Sequence, residues 1–519
     1  MKNSTRKIIT LFSVIFTGVM TLSLSGCLNT IDELTHEHTF STSWTSDENS
    51  HWHEATCGHN VKGNEAAHTF GNWVVDKNAT ETETGLKHHN CTVCNYKEEQ
   101  VIPVKSTETT DAWTIMLYIC GSDLESGTTN GRLNALATED IKEILSVNGQ
   151  PDDVNIIIET GGAKKWSSRY GISSTKLERW HVANRQLVKD TSLTYASMGE
   201  VSTFQSFLEW GLTNYPAEKT AVILWNHGGA LTGVCFDEKK DNDCLMASEI
   251  DTAFSNVFKK LDIEDKLEFI GYDACLMQVQ DIAELNSKYF NYMVGSQESE
   301  AGDGWKYDEW VDDLYAKRDT TVILKAICDE FIEAYDELYG AAGFANDQTQ
   351  SYLDLSKMAN YKAKFEEFAS SMTSIVKKSS FNNTIKKAKN YGDTYMDAEE
   401  HDYYIDSLGY DYEMFDEVIE DGETYYLLHG YYDFAVFDVK DFLNKVKAST
   451  LGADATKINA VLEALDEVIC YNKIGNEAGN SCGLSLVCPV DEWSAENCYG
   501  EDETNFTVWQ SITTTSRNY

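Results

Sequence analysis

Two short segments of the chain carry residues able to do covalent chemistry. His227 stands in Asn226-His227-Gly228-Gly229, and Cys275 follows 48 residues later in Tyr272-Asp273-Ala274-Cys275-Leu276-Met277. A cysteine thiolate is a strong nucleophile toward a carbonyl carbon, and an imidazole beside it can move the proton that a departing amine requires. Gly228 and Gly229 have no Cβ, so a substrate backbone can approach closely and a main-chain N–H can face a developing oxyanion. Taken singly, each residue has a plainer account. A cysteine closing a strand is a small buried hydrophobe, and a histidine at a strand end is one that has found a hydrogen bond. Together, beside a pair of glycines, they describe a nucleophilic site.

What must bring them together is a sheet. Apolar runs at 114–119, 154–158, 221–225 and 267–272 lead into Cys120-Gly121-Ser122-Asp123, Glu159-Thr160-Gly161-Gly162, Asn226-His227-Gly228-Gly229 and Asp273-Ala274-Cys275. Helical patterns such as 133–147 and 204–212 separate the runs. Near-continuous apolar strands alternating with helices predict a mostly parallel sheet in a three-layer α/β/α sandwich. Ligands in such folds bind beyond the carboxyl ends of the strands, which is where these polar and glycine-rich residues fall.

A histidine about fifty residues ahead of a cysteine is the spacing of caspase-type peptidases. The two segments are similar to the catalytic histidine and cysteine segments of the clostripain family, cysteine peptidases with a caspase-like fold. Further pieces agree in order: Gly121-Ser122-Asp123-Leu124-Glu125, Met198-Gly199, Gly302-Asp303-Gly304-Trp305, Tyr352-Leu353-Asp354-Leu355 and Gly483-Leu484-Ser485-Leu486. The resemblance covers about 112–489. It implies that Cys275 is the nucleophile, His227 its partner, and the N–H groups of Gly228 and Cys275 the oxyanion hole. It implies cleavage after arginine, sometimes lysine, with Asp273 opposite the basic side chain; a carboxylate facing a guanidinium supplies the reason. The alternative for Asp273 is a cap on the following segment. No cofactor is needed for this chemistry, and the substrates are peptides or proteins with Arg or Lys at P1.

Family members also cut themselves between the histidine and cysteine strands. Here that stretch is Phe236-Asp237-Glu238-Lys239-Lys240-Asp241-Asn242-Asp243-Cys244, with Lys240 the favoured position and Lys239 its neighbour; an uncut, solvated loop is the other reading. Ala230 stands where the family usually has a third glycine, and Tyr272 where phenylalanine is commoner. Residues 397–423 hold twelve acidic side chains and no Lys or Arg, an insertion beyond the family pattern. Some relatives need calcium, and clustered carboxylates are its ligands, but no EF-hand spacing occurs and a solvated acidic surface fits as well.

The remainder sets the location. Lys2, Arg6 and Lys7 precede an apolar run at 8–24, the pattern of an export signal. Leu24-Ser25-Gly26-Cys27 resembles the lipobox of bacterial lipoproteins, which implies lipidation of Cys27 and tethering to the outer face of a bacterial membrane; an ordinary cleaved signal or a single membrane anchor is the alternative. Eight of the 12 histidines lie between His36 and His89, in a repeat that pairs His38-Thr39-Phe40 with His68-Thr69-Phe70. Cys57, His88, Cys91 and Cys94 are candidate zinc ligands by type and spacing, against a small metal-free β spacer held by aromatics. With 84 acidic against 42 basic residues and a net charge of −42, the chain repels phosphate backbones, and nucleic acid is excluded as a partner.

The expected organisation is a signal peptide at 1–26, a lipid-anchored linker at 27–35, a His/Cys/Trp-rich β module at 36–104, and a caspase-like catalytic domain at 111–345. A C-terminal α/β extension with the acidic insertion fills 346–519, and the polar stretch 98–111 reads as a linker. Two other functions compete with the peptidase. A non-catalytic surface binding protein on the same scaffold would need neither His227 nor Cys275. A metal-dependent hydrolase would need a motif such as HExxH, which the catalytic region lacks.

Overall fold

The computed structural model describes residues 37–78, 83–102, 110–342, 346–392, 395–396, 405, 415–420, 423–428, 435–490, 494, 498–499 and 506–514. The expected signal, the linker, Cys27 and most of the acidic stretch 397–423 lie outside the described residues. The chain divides into two compact units, Met1–Thr109 and Thr110–Tyr519.

In the first unit each repeat forms one antiparallel sheet: β1 (Phe40–Ser46), β2 (Ser50–Ala55) and β3 (Lys62–Ala67), then β4 (Val74–Lys77), β5 (Gly85–Asn90) and β6 (Lys97–Ile102). The expected linker therefore begins later than 98. Lys97–Ile102 is a strand because Gly85–Asn90 offers it a full antiparallel ladder, from Gly85 opposite Ile102 to Asn90 opposite Lys97. Apolar burial contributes little to this unit. Val74, Val75, Val101, Trp73 and Phe40 are exposed. Rings stack instead: Trp44 on His53 at 3.8 Å, and at the equivalent place of the second repeat Trp73 on His89 at 3.7 Å.

The second unit is built on β7 (Asp111–Cys120), whose ten residues alternate between two cores. Met116, Tyr118 and Cys120 face one, while Ile115, Leu117 and Ile119 face the other, as the period of two along a strand requires. After α1 (Ser122–Ser126) and α2 (Leu136–Ser146), the strands β8 (Val154–Gly161), β9 (Lys176–Ala183) and β10 (Gln186–Thr194) fill one side of the sheet. Helix α3 (Val201–Asn214) leads to β11 (Ala217–Trp225), the short hairpin β12 (Val234–Asp237) and β13 (Asp243–Leu245), and α4 (Ala247–Leu261). The other side follows with β14 (Leu267–Asp273), β15 (Phe290–Gly295), α5 (Tyr307–Lys317), α6 (Thr320–Ala342), β16 (Thr349–Asp354), α7 (Met358–Met372) and β17 (Ile469–Ile474).

The nine-stranded sheet runs β10-β9-β8-β7-β11-β14-β15-β16-β17. Its five central strands are parallel and its flanks antiparallel. Helix α4 shows how a helical layer attaches: Ile250, Ala253, Phe254 and Val257, spaced i, i+3, i+4, i+7, are buried on the sheet. Helices α3, α4 and α7 cover one face, and α2, α5 and α6 the other. The break expected at 345/346 separates nothing. Thr349–Asp354 and Ile469–Ile474 are strands of the same sheet, because Thr349, Gln350, Ser351, Tyr352 and Leu353 are all buried and need neighbours on both edges. The strand order switches sides at β7, with β8 on one side of it and β11 on the other, the switch point where α/β sheets open a crevice.

Candidate active site

That crevice holds a cavity of about 770 Å³ lined by Asp123, His227, Gly228, Asp273, Cys275 and Glu300, among others. Strand β11 ends at Trp225, and Asn226 fastens the turn that follows. Its Nδ2 donates to the Cys120 carbonyl at 2.7 Å, its Oδ1 accepts from the Phe236 N–H at 2.8 Å, and its own N–H donates to the Asp273 carbonyl at 3.2 Å. Three strand ends are thereby locked around His227. A Cβ at Gly228 would sit 2.3 Å from the Cys275 carbonyl oxygen, so only glycine lets the two segments pass this closely. Ala230 adopts φ +54°, a left-handed conformation that glycine would hold freely and that alanine holds at some strain. Leu276, directly after the cysteine, has φ +63°, so the chain turns sharply away and leaves Cys275 at the rim.

The two reactive residues share the cavity but have different partners. His227 Nε2 lies 2.8 Å from Asp123 Oδ1. The imidazole beside Asp123 draws its carboxyl down to about 2, despite partial burial, so the carboxylate accepts and Nε2 carries the proton. Cys275 Sγ accepts the Glu300 N–H at 3.2 Å, and its S–H reaches the Glu300 carbonyl at 3.7 Å. Burial, followed by the nearby Glu300 carboxyl, pushes the thiol up to about 12, against hydrogen bonds from the N–H groups of Glu300, Gly228 and Cys275 itself. The sulfur is therefore a neutral thiol in this arrangement. Two N–H groups beside it, those of Gly228 and Cys275, can receive an oxyanion.

Asp273 lies on the cavity floor, 5 % exposed. It accepts the Tyr307 hydroxyl at 2.8 Å and the Trp305 N–H at 3.5 Å. Burial outweighs these bonds and raises it to about 6. Sequence reasoning missed its company. Glu300, also on the floor, is held well above the usual carboxyl range by burial and then by Asp273. Its Oε2 is buried with no hydrogen-bond donor. Asp140 of α2, bonded to Trp225 Nε1 at 2.7 Å, is raised by burial and by Asp273. Gly304, at φ +64°, would place a Cβ 3.2 Å from Asp273 Oδ1 and 3.4 Å from Asp140 Oδ2; its missing side chain keeps the acidic floor open. Burial favours the protonated form of such carboxyls, and a bound cation favours the carboxylate.

The hairpin with the expected cut borders the same cavity through Phe236, Glu238 and Asn242. Glu238 ties it down, accepting from Ser126 Oγ and from the Lys164 N–H. The two lysines differ. Lys239 is fixed, its Nζ bonded to the Ser174 carbonyl and 3.6 Å from the centre of the Tyr195 ring. Lys240 is exposed and is followed by Asp241 and Asn242, both at positive φ.

The expected zinc set does not form. His88 Nδ1 pairs with Asp76 Oδ2 at 2.6 Å, an edge created by the pairing of β4 with β5. Cys57 belongs to a group with His38 and His59, whereas Cys91 and Cys94 sit with His51 and His68. Neighbours in sequence were poor guides because strand alternation turns His88 and Cys91 apart while the fold lays the first repeat over the second.

With this geometry in view, comparison with known proteins is informative. The model of the Clostripain family matches residues 118–497. The curated protein Clostripain of Hathewaya histolytica is 24% identical over 452 residues, 76% of this chain and 78% of that protein. The crystal structure of the secreted C11 cysteine protease "iotapain" of Bacteroides thetaiotaomicron superposes with a TM-score of 0.50 at 17% identity, over 78% of this chain and 99% of that one. A secreted C11 cysteine protease of the same organism with an irreversible peptide inhibitor gives 0.47 at 14% identity, over 73% and 92%.

Proposed function

This chain belongs to the clostripain family of cysteine peptidases, and from that premise we propose that it is a lipid-anchored surface endopeptidase cutting after arginine or lysine. The observation that carries the specificity is the pair of buried carboxyls, Asp273 and Glu300, that line the same cavity as Cys275 and His227, with Asp140 close to Asp273. A guanidinium or ammonium entering there stabilises the ionised form of carboxyls that burial disfavours, and the charge-assisted bonds gained exist only for a basic side chain. Cys275 attacks the carbonyl carbon, its proton passes to His227, and the N–H groups of Gly228 and Cys275 hold the oxyanion. His227 then protonates the leaving amine, and water releases the acyl group from sulfur. Asp123 accepts the hydrogen bond from Nε2 and holds the imidazole in place.

Self-processing after Lys240 fits the same specificity. Its exposed position, beside a Lys239 that is already engaged, supports that bond over the preceding one. Cys27 and its lipobox-like surroundings support a lipid tether at the outer face of the membrane.

The test uses soluble protein starting after Cys27, with Cys275→Ala beside it, on fluorogenic peptides ending in Arg, Lys or Glu, with and without calcium. Intact mass is followed in parallel. The expected result is turnover of Arg and Lys peptides only, lost in the variant, with wild-type protein nicked after Lys240. Turnover of the Glu peptide at equal rate overturns the specificity. Absence of turnover by folded protein in both conditions moves the reading to a binding protein on a peptidase scaffold.

A further inference from the structure

We propose that His51, His68, Cys91 and Cys94 form a tetrahedral zinc site that spans the two repeats and serves as the core of the N-terminal module. The four ligand atoms lie within 4.8 Å of one another. Cys94 Sγ is 3.4 Å from His68 Nδ1, and Cys91 Sγ is 3.9 Å from His51 Nδ1. With Zn–S near 2.3 Å and Zn–N near 2.0–2.1 Å, the edges of a ligand tetrahedron span about 3.3–3.8 Å. The two cysteine–histidine edges are therefore within a few tenths of an ångström of those a bound ion requires, and no edge of the group exceeds 4.8 Å. Two thiolates and two imidazoles with no open position suit zinc in a structural role.

Three further features prepare these atoms for a metal. His68 Nε2 lies 2.8 Å from the Asp47 carbonyl oxygen, so its proton sits there and the Nδ1 lone pair faces the cysteines, as metal-binding histidines are oriented by a carbonyl on their far nitrogen. The Tyr96 N–H points at Cys94 Sγ at 3.4 Å, a main-chain contact that fixes the direction of the sulfur. Finally, Cys91 is the only fully buried apolar side chain among the module's described residues, and His51 beside it is 3 % exposed. Six short strands without an apolar centre need another source of stability, and a bound ion supplies it.

The first repeat holds a lesser copy. His38 Nδ1 lies 3.2 Å from Cys57 Sγ, matching the His68–Cys94 pair, and Cys57 lies 3.5 Å from His59 Nδ1. Glu54 occupies the place of Cys91, so this group of three does not close, and it provides the control.

The measurement is the zinc content of the whole chain after Cys27, untagged and in a Cys275→Ala background that prevents self-digestion. The expected result is a stoichiometric zinc that survives dialysis, is lost in Cys94→Ser and His68→Gln, and is retained in His88→Gln and His38→Gln. Because the first two variants risk failing to fold, cobalt replaces zinc in the unmutated chain as an independent readout. Intense visible bands of tetrahedral cobalt with thiolate charge transfer support the site; octahedral bands overturn it. Zinc-free protein from zinc-replete growth, a Cys91–Cys94 disulfide in the zinc-loaded chain, or zinc lost in His38→Gln but kept in Cys94→Ser overturns it as well.

Discussion

Phe254 and Val101 mark the two ends of a contrast between the units. Phe254 is fully buried in the peptidase unit, edge-on to Phe204 at 5.5 Å and to Phe290 at 5.0 Å, and stacked with Tyr289 at 5.4 Å. Val101, in a strand of the N-terminal module, is 58% exposed. The peptidase unit places apolar side chains on both faces of one sheet and leaves its strand ends free for chemistry. The module has little to bury, and it arranges rings, imidazoles and sulfurs instead. A sequence read through hydrophobic periodicity is therefore informative about the first unit and nearly silent about the second.

The largest effect that sharpens this contrast is on stability. Phe254→Ala should cost the peptidase unit about 3–5 kcal/mol, read as a shifted midpoint in urea. A loss under about 1 kcal/mol would mean that the core is not as close-packed as the ring contacts indicate.

The acidic floor gives the next. Asp273→Asn should lower kcat/KM for Arg peptides about 100-fold, a loss of about 2.7 kcal/mol in the transition state. Its pH dependence has a definite sign. The carboxyl is raised from 3.8 to about 6 in the folded protein, so its stabilising contribution is complete below 3.8 and is lost as pH rises through about 6. A guanidinium ligand binds the ionised form, so KM for Arg peptides should fall as pH climbs through the same window. A KM independent of pH there would remove Asp273 from the specificity site.

Asp123→Asn comes third, with an expected loss of about tenfold in kcat, since the asparagine keeps a hydrogen bond to His227 but not the charge. A KM left unchanged beside the lowered kcat, with an unshifted urea midpoint, separates this from a folding defect. The smallest effect belongs to the module: Val101→Ala should change its unfolding by no more than about 0.5 kcal/mol. A large loss there would reveal an apolar core.

How much was legible depended on the kind of signal. The four strand ends, the Gly228 close approach and the convergence of His227, Asp273 and Cys275 on one cavity follow from apolar runs ending in polar residues. The flanking strands Thr349–Asp354 and Ile469–Ile474 did not read as one sheet with them, since antiparallel partners more than a hundred residues apart leave no local trace. Asp140 was hidden in an amphipathic helix, and Glu300 in a loop; only the fold sets them beside Asp273. Asp123 was visible at a strand end, but its role appears only from its distance to His227. In the module, Cys91 and Cys94 carried a readable spacing, whereas His51 and His68 reach them from 40 and 26 residues upstream.

The central claim is that one thiol among 13 cysteines does the chemistry behind a pocket for a basic side chain. Labelling the active protein with a peptidyl acyloxymethyl ketone bearing arginine at P1, followed by peptide mapping, tests it most directly. The account predicts a single thioether on Cys275, blocked by excess Arg peptide and absent with the norleucine analogue. An adduct on another cysteine, or equal labelling by the norleucine reagent, would contradict it.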